Sequence, residues 1–441
     1  MARLSAREIA LKVLTEYPGR SRPEDLLERI LATYDPDRAE RALATQLVSG
    51  TIKWRSKIDF IIKQLSHRSR VVSPVVLNIL RLSIYQLLFL DRVPAYGATN
   101  EGVKLAKQFG DNYQAGYVNA ILRRYLREKD QIEFPDLYED PIKHISVVYS
   151  HPPWLVRRWL QRFSVEDVIG LALANNRIAP TGLRVNSLRA TASQVEARLV
   201  EEGVEIAEPS LAPGHFYVRG ASPVEALKVH RDGLVQVQDA AQTLVGLVLA
   251  PEPGKVAVDL CSAPGGKATH LYELMKGEGL LIANDVSLER LLLVRENAAR
   301  LGHTRMAFTA SDGRKPAMHG VDYLLVDAPC TGLGVIARRW DLRWTKRESD
   351  VLRMSAYQRD LLGSAIEIAR AGGVVVYSTC SIEPEENEGV VEAVLERRKD
   401  VRLEPIGQAL PRAVVYREGM MQTLPHVHGV DGMFAARLRK L

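Results

Sequence analysis

The sequence predicts three parts: an all-α N-terminal domain over residues 1–135, a small α+β subdomain over residues 145–233, and a C-terminal α/β domain over residues 234–441 built on a doubly wound sheet. Three observations predict it. Apolar residues recur at helical spacing through the first 130 residues. An acidic, proline-bounded break follows at Glu133-Phe-Pro-Asp-Leu-Tyr-Glu-Asp-Pro141. From residue 254 onward, short apolar runs alternate with helical segments. At 441 residues the chain also exceeds one ordinary hydrophobic core.

In the first part, Ile9, Ala10, Val13 and Leu14 share one helical face, as do Leu43, Leu47 and Val48. Ser73-Pro74 marks a helix start, with Pro in the first turn, where its missing N–H costs nothing. The most hydrophobic run, Ile79–Leu90, contains Arg81 and Gln86 and is too short to span a bilayer, so it reads as a buried helix. In the second part, Leu183–Asn186 and Gly214–Val218 read as strands and Ser193–Glu202 as a helix; Gly233–Asp239 leads into a further helix over 240–249. In the third part, strands are expected at Val256–Leu260, Leu280–Asn284, Arg305–Phe308, Tyr323–Val326 and Gly373–Tyr377. Helices fall at Lys267–Met275, Leu288–Arg300 and 355–370, and Val430–Leu438 supplies a late strand. Short apolar strands separated by helices imply a parallel sheet covered on both faces.

The net charge of +6 is unevenly placed. Residues 1–130 hold 22 Lys/Arg against 14 Asp/Glu, a net +8, which leaves the remainder at −2. A basic N-terminal part on a near-neutral body suggests a polyanionic partner; a solvated, Arg-rich helical bundle explains the same charge. The stretch from Lys53 through Trp54, Arg55 and Lys57 to Arg68 and Arg70 interleaves cations with an aromatic. That composition suits a phosphate backbone and an unstacked base, or an exposed helix face with a core Trp. No secretory signal is visible at the start of the chain, and unpaired thiols agree with a cytoplasmic protein.

Only three cysteines occur, and each sits at the end of an expected strand: Asp-Leu-Cys261-Ser-Ala-Pro-Gly-Gly-Lys267, Asp327-Ala-Pro-Cys330 and Ser-Thr-Cys380-Ser. The spacing offers neither a disulfide framework nor a zinc cluster, so no metal is expected. The loop from Cys261 to Gly266 joins a strand to a helix N-terminus, where glycine lets backbone approach a ligand. It is neither a P-loop nor a dinucleotide fingerprint, because the glycine spacings differ. Asp285 ends the next strand, where an acid in doubly wound folds bonds ribose hydroxyls; Asp312 follows the third strand and could accept from an adenine amino group. These features together spell a nucleoside cofactor. Two thiols at neighbouring strand ends beside it suit attack on a pyrimidine, since cytosine C5 becomes nucleophilic only after addition at C6. Either thiol could be the nucleophile on this reading. The run Glu383–Glu388 reads as helix capping and solvated charge.

The three motifs, extended to Tyr377-Ser-Thr-Cys-Ser-Ile-Glu-Pro-Glu-Glu-Asn387, resemble those of the S-adenosylmethionine-dependent RNA (cytosine-5) methyltransferases. Leu183-Arg-Val-Asn186-Ser and Val237-Gln-Asp-Ala-Ala-Gln242 look like that family's motifs ahead of the catalytic sheet. Pro94-Ala-Tyr-Gly-Ala-Thr-Asn-Glu-Gly-Val103 and Val118-Asn-Ala-Ile-Leu-Arg123 are similar to the helical RNA-binding domain of NusB. Together they resemble bacterial small-subunit ribosomal RNA methyltransferases and span nearly the whole chain.

The resemblance implies a Rossmann-like methyltransferase sheet and methylation of cytosine C5 in 16S ribosomal RNA. It implies that Cys261, Ser262, Ala263, Pro264, Gly265, Gly266 and Lys267 contact S-adenosyl-L-methionine, with Asp285 on the ribose and Asp312 on the adenine side. Asp327 would lie near both methyl donor and base. Cys380 would be the nucleophile on C6 and Cys330 would assist product release. RNA contacts are expected from Lys53, Arg55, Arg68, Arg70, Arg184 and Asn186, with ribosomal RNA as partner, no membrane, and a monomeric chain.

Overall fold

The computed structural model describes residues 4–17, 22–66, 73–207, 210–219, 224–406 and 410–441. Two compact units emerge: Met1–Asn176 with Arg343–Thr345, and Arg177–Leu342 with Lys346–Leu441.

The first unit is helical. Its helices are Ala6–Glu16, Pro23–Tyr34, Arg38–Lys53, Arg55–Leu65, Pro74–Phe89, Ala95–Phe109 and Asn112–Glu128, then Pro141–Val148, Pro153–Leu160 and Val165–Asn176 beyond the acidic break. The periodic residues Ile9, Ala10, Val13, Leu14, Leu47 and Val48 are buried. Ser73 caps Pro74–Phe89, its hydroxyl accepting from the Val76 amide at 3.3 Å. No helix among the described residues is long and apolar enough to cross a membrane.

The second unit carries two sheets. Strands β1 (Thr181–Val185), β2 (Glu205–Ile206), β3 (His215–Arg219) and β4 (Val235–Val237) form an antiparallel sheet in the order β2-β3-β1-β4. Helix Ala192–Glu201 closes its apolar face through Val195 and Leu199 against Leu183, Val185 and Val235.

The larger sheet has nine strands: β5 (Val256–Asp259), β6 (Leu280–Asp285), β7 (Met306–Ala310), β8 (Val321–Asp327), β9 (Ala369–Thr379), β10 (Val401–Leu403), β11 (Val415–Arg417), β12 (Met420–Gln422) and β13 (Phe434–Lys440). Its order is β11-β12-β13-β9-β8-β5-β6-β7, with β10 also on β13. The run β9-β8-β5-β6-β7 is parallel, as the strand–helix alternation requires. The other end of the sheet adds antiparallel strands to this parallel run. There β13 pairs antiparallel with β9 and with β12, so the sheet is mixed. The segment between β12 and β13 holds only a short helix, Pro425–His428, and antiparallel neighbours need no long crossover.

Alternation along the strands gives each face its own core. Val374 and Val376 point with Ala257 and Leu325 toward helices Ala240–Leu249 and Gly266–Leu274. Val375 and Tyr377 point with Val258 and Leu324 toward helices Glu348–Ile368 and Glu388–Arg397. Burial of these side chains from both sides fixes the strand register, and with it the position of every residue at the carboxyl edge. Cys261, Asp285, Asp327 and Cys380 all lie at or just past strand ends along that edge.

Candidate active site

The loop after β5 turns because Gly265 adopts φ +105°, a conformation that side chains resist. A Cβ there would also meet Val294 at 3.0 Å. The loop is pinned by its own backbone: the Ser262 amide donates to the Asn284 carbonyl at 2.8 Å and the Gly265 amide to the Ser262 carbonyl at 2.7 Å. Asn284 joins three strand ends, donating to the carbonyls of Leu260 and Ser311 and accepting from the Ser311 hydroxyl. Asp285 accepts from the amides of Ala263 at 3.2 Å and Ser287 at 3.0 Å, and Arg290 donates to the Ala263 carbonyl at 2.8 Å.

A cleft of about 300 Å³ opens above this edge. Cys261, Ala263, Asp285, Asp327, Cys330 and Cys380 all line it, so the geometry brings together residues from three motifs. Lys267 reaches the same place from the helix, its ammonium 2.8 Å from Asp327, whose other oxygen accepts from the Ser378 hydroxyl at 2.9 Å. Burial works against the Lys267 charge, but Asp327, then Cys380 and Asp259, outweigh it and raise its affinity for a proton. Asp259, wholly buried beneath, is pushed up to about 8 by burial and by the Asp327 charge. Burial, then Asp259, pushes the Cys261 thiol well up.

Two buried polar atoms at the loop, Oδ2 of Asp259 and Oγ of Ser262, have no hydrogen-bond partner among the described residues. Orphaned groups beside a glycine cradle fit a polar small molecule bound there.

Cys330 and Cys380 lie with their sulfurs 3.1 Å apart. The close approach depends on glycine. The Gly334 amide donates to the Cys380 carbonyl at 2.9 Å, and a Cβ on Gly334 would collide with the Gly432 carbonyl oxygen at 2.1 Å. The Cys330 thiol is held well above its ordinary range by its bond to Cys380, by burial, and by the negative charges of Cys380 and Glu386.

Other expected residues fall elsewhere. Asp312 is held low by Arg314, 2.7 Å away, and lines a separate cavity with Arg359 and Arg398; only its neighbour Gly313 lines the cleft. The RNA-contact expectations need correction. Arg184 is 2% exposed and ion-pairs with Glu273 at 2.6 Å. It also donates to the Gly266 carbonyl at 2.6 Å, so it braces the cofactor-type loop from beneath. Asn186 is fully buried and donates to the carbonyls of Gly233 and Leu301. Neither can reach a nucleic acid.

In the first unit Lys53 is buried too, and burial with the nearby Arg343 charge lowers it to about 8. Arg55 is half-buried, its guanidinium 4.4 Å from the Trp344 ring centroid. Charge spacing along a helix does not say which face turns inward. Arg68 and Arg70 lie outside the described residues.

The sequence reading missed Glu386. The acidic run expected to be solvated is instead buried at Glu383 and Glu386. The Glu386 carboxylate accepts from the Thr331 amide at 2.8 Å, the Ser381 hydroxyl at 2.6 Å, Gln358 at 3.1 Å and the Thr331 hydroxyl. Its one sequence signal is position: an acid in a Pro-led turn directly behind a cysteine-bearing strand end. Among the described residues no His, Cys, Asp and Glu group is placed to hold a metal.

Comparison with known proteins finds three matched stretches of the chain. Residues 4–127 match the NusB family, 151–225 the ferredoxin-like domain of RsmF/B-like methyltransferases, and 246–439 the 16S rRNA methyltransferase RsmB/F family. The chain is 32% identical to the probable ribosomal RNA small subunit methyltransferase B of Bacillus subtilis over 100% of both chains. It is 33% identical to the corresponding protein of Synechocystis, over 99% of this chain and 100% of that one. The crystal structure of PH0851 superposes with a TM-score of 0.82 at 27% identity, covering 100% of both chains. A NusB-type helical domain, a small linking sheet and a mixed Rossmann-like sheet with a motif-lined cleft thus occur in one chain, which belongs to the ribosomal RNA small subunit methyltransferase B family of S-adenosylmethionine-dependent 16S rRNA methyltransferases.

Proposed function

We propose that this protein methylates C5 of a cytosine in 16S ribosomal RNA through a covalent bond between Cys380 and C6 of the base. The observation that carries this reading is the pair of sulfurs 3.1 Å apart, lining the same cleft as Asp285 and Asp327. A single thiol could be a packing residue; two in contact at a ligand-type edge have a chemical use.

The loop Cys261–Lys267 with Asp285 would hold S-adenosylmethionine, its adenine toward Gly313; Asp312 could serve that side only by leaving Arg314. Bound there, the cofactor supplies an electrophilic methyl group. Cys380, as thiolate, gives an electron pair to C6, and the C5=C6 π pair moves onto the ring, making C5 a nucleophile. Lys267, held in place by Asp327, stabilises the thiolate before attack and again as the sulfur leaves. After transfer the C5 proton passes to water, and as its bonding pair restores C5=C6 the S–C6 bond breaks with its pair on Cys380, while the Cys330 S–H donates a hydrogen bond to the departing sulfur. Cys330 is suited to that part because its surroundings keep it a thiol. Arg290, Arg339 and Lys346, which also line the cleft, suit phosphates flanking an unpaired base.

The test uses small-subunit ribosomal RNA, labelled cofactor and a denaturing gel. A protein–RNA adduct that accumulates in Cys330→Ala and is absent in Cys380→Ala is the expected result. The opposite pattern exchanges the two roles, and methyl transfer by both variants at the wild-type rate refutes a covalent mechanism.

A further inference from the structure

We propose that Glu386 is the positioning residue of the two-sulfur centre: by accepting hydrogen bonds from the segments directly behind both cysteines, its buried carboxylate sets the distance between Cys330 and Cys380. This rests on the covalent reading above and adds a residue to it. The hydrogen bonds of the Glu386 carboxylate go to Thr331, Ser381 and Gln358 and to neither sulfur, so its action runs through the loops.

The geometry is a three-way tie. One carboxylate oxygen accepts from the Thr331 amide at 2.8 Å and from the Gln358 side chain at 3.1 Å. The other accepts from the Ser381 hydroxyl at 2.6 Å and from the Thr331 hydroxyl. Thr331 follows Cys330 and Ser381 follows Cys380, so one side chain ties together the two loops that carry the sulfurs. Gln358 anchors the tie to helix Glu348–Ile368 and also donates to the Pro329 carbonyl at 2.9 Å, on the other side of Cys330. The Glu386 backbone is fixed as well, its carbonyl accepting from the Tyr377 hydroxyl at 2.5 Å. The two loops leave neighbouring strands and are joined on one side by the Gly334–Cys380 backbone bond, which leaves their other side to be held. A shared, fully buried acceptor holds it, because each donor would otherwise be buried and unpaired.

All four partners are donors, a set that only an acceptor on both oxygens can satisfy. A glutamine in this place presents an N–H₂ toward two of them. The carboxylate also has an electrostatic consequence. Cys330 faces Cys380 on the β9 loop, Glu386 on the turn beyond it, and the Tyr377 hydroxyl and Asp327 on β9 and β8, with Lys267 across the cleft on Asp327. The bond to Cys380, burial and the Cys380 charge hold the proton on Cys330, and the Glu386 carboxylate adds to them; the thiol is the form that can donate to the departing sulfur.

The experiment compares wild type, Glu386→Gln, Thr331→Val, Thr331→Ser and Cys330→Ala on 16S ribosomal RNA. It reads kcat, KM for S-adenosylmethionine, adduct on a denaturing gel, and the pH profile of release. Glu386→Gln is expected to lower kcat on the order of 100-fold, the effect of a small misplacement of reacting groups, with KM for the cofactor unchanged. Adduct should accumulate, and the alkaline limb of release should move to lower pH, because loss of the anion lets Cys330 ionise earlier. Thr331→Val should show the same pattern more weakly, and Thr331→Ser should restore wild-type turnover. Should Glu386→Gln fail to fold, the Thr331 pair carries the test unaided. Wild-type kcat and pH profile in Glu386→Gln, or equal turnover in the two Thr331 variants, would overturn the inference. Absence of adduct in Cys330→Ala would instead overturn the covalent reading on which it rests.

Discussion

Cys261 and the pair Cys330 and Cys380 end or follow neighbouring strands of one sheet and line one cleft, yet they are set in different surroundings. Cys261 stands among the carboxylates of Asp259, Asp327 and Asp285, and burial with those charges keeps its thiol strongly protonated. Its amide donates a hydrogen bond to Asp259 at 3.3 Å. Cys330 and Cys380 touch each other, with a glycine crossing beneath them and a buried glutamate behind. The difference teaches that strand-end position makes a cysteine accessible to a cleft, while a second polarisable group within reach gives it chemistry. Cys261 shapes the loop proposed to hold the cofactor; the other two are in contact with one another.

That contrast can be broken or sharpened by substitution. The largest effect is expected from Cys380→Ala, which removes the proposed nucleophile: methyl transfer should fall by on the order of 10⁴-fold or more in a labelled-cofactor assay. Cys330→Ala should reduce turnover by about 10²–10³-fold while single-turnover methyl transfer survives, the scale of a lost proton-handling group. Arg184→Ala removes the partner of the buried Glu273 carboxylate and should cost about 3–5 kcal/mol in denaturant unfolding. RNA affinity at fixed salt should not change; a fall there would restore Arg184 as an RNA contact. Cys261→Ala should cost only about 1 kcal/mol of stability and leave the adduct pattern intact, and adduct loss would erase the distinction between the two kinds of cysteine.

Asp259 makes its effect felt only as pH rises. Its carboxyl is about 8 in the folded chain against 3.8 in the unfolded one, so the folded state binds a proton that the unfolded state has already released. Stability from this group is therefore present at low pH and is lost as pH rises between those two values. Asp259→Asn should match wild type near the bottom of that window and unfold at a higher temperature than wild type near the top. A constant difference across the window, read by thermal melts without cofactor, would contradict the assignment.

The strands and helices of the second unit were legible because both faces of the large sheet are buried, which forces continuous apolar runs at β5, β6, β8 and β9. The cysteine motifs were legible because glycine and proline mark the turns that follow those runs. What the sequence could not convey was direction. Lys53, Arg184 and Asn186 carry polar groups, but each is turned inward, and helix or strand register alone does not say that a guanidinium will pair with Glu273. Glu386 was misread for the same reason. An acidic run in a turn is ordinarily hydrated, and only tertiary packing shows four donors converging on one of its members. The antiparallel edge was missed because β10, β11 and β12 are three residues each, too short for a periodic signal.

Strand β13 has a consequence for biosynthesis. Residues 434–440 lie between β9 and β12, and β13 is the neighbour that covers the flank of the strand leading to Cys380. A nascent chain that has been translated only as far as β9 therefore holds both cysteines on an open sheet edge, without the Gly334–Gly432 crossing that sets them. Such an edge invites mispairing until the missing strand arrives. The ribosome making this chain should release an enzyme that gains its sulfur centre late, in one closing step, rather than progressively as each motif emerges.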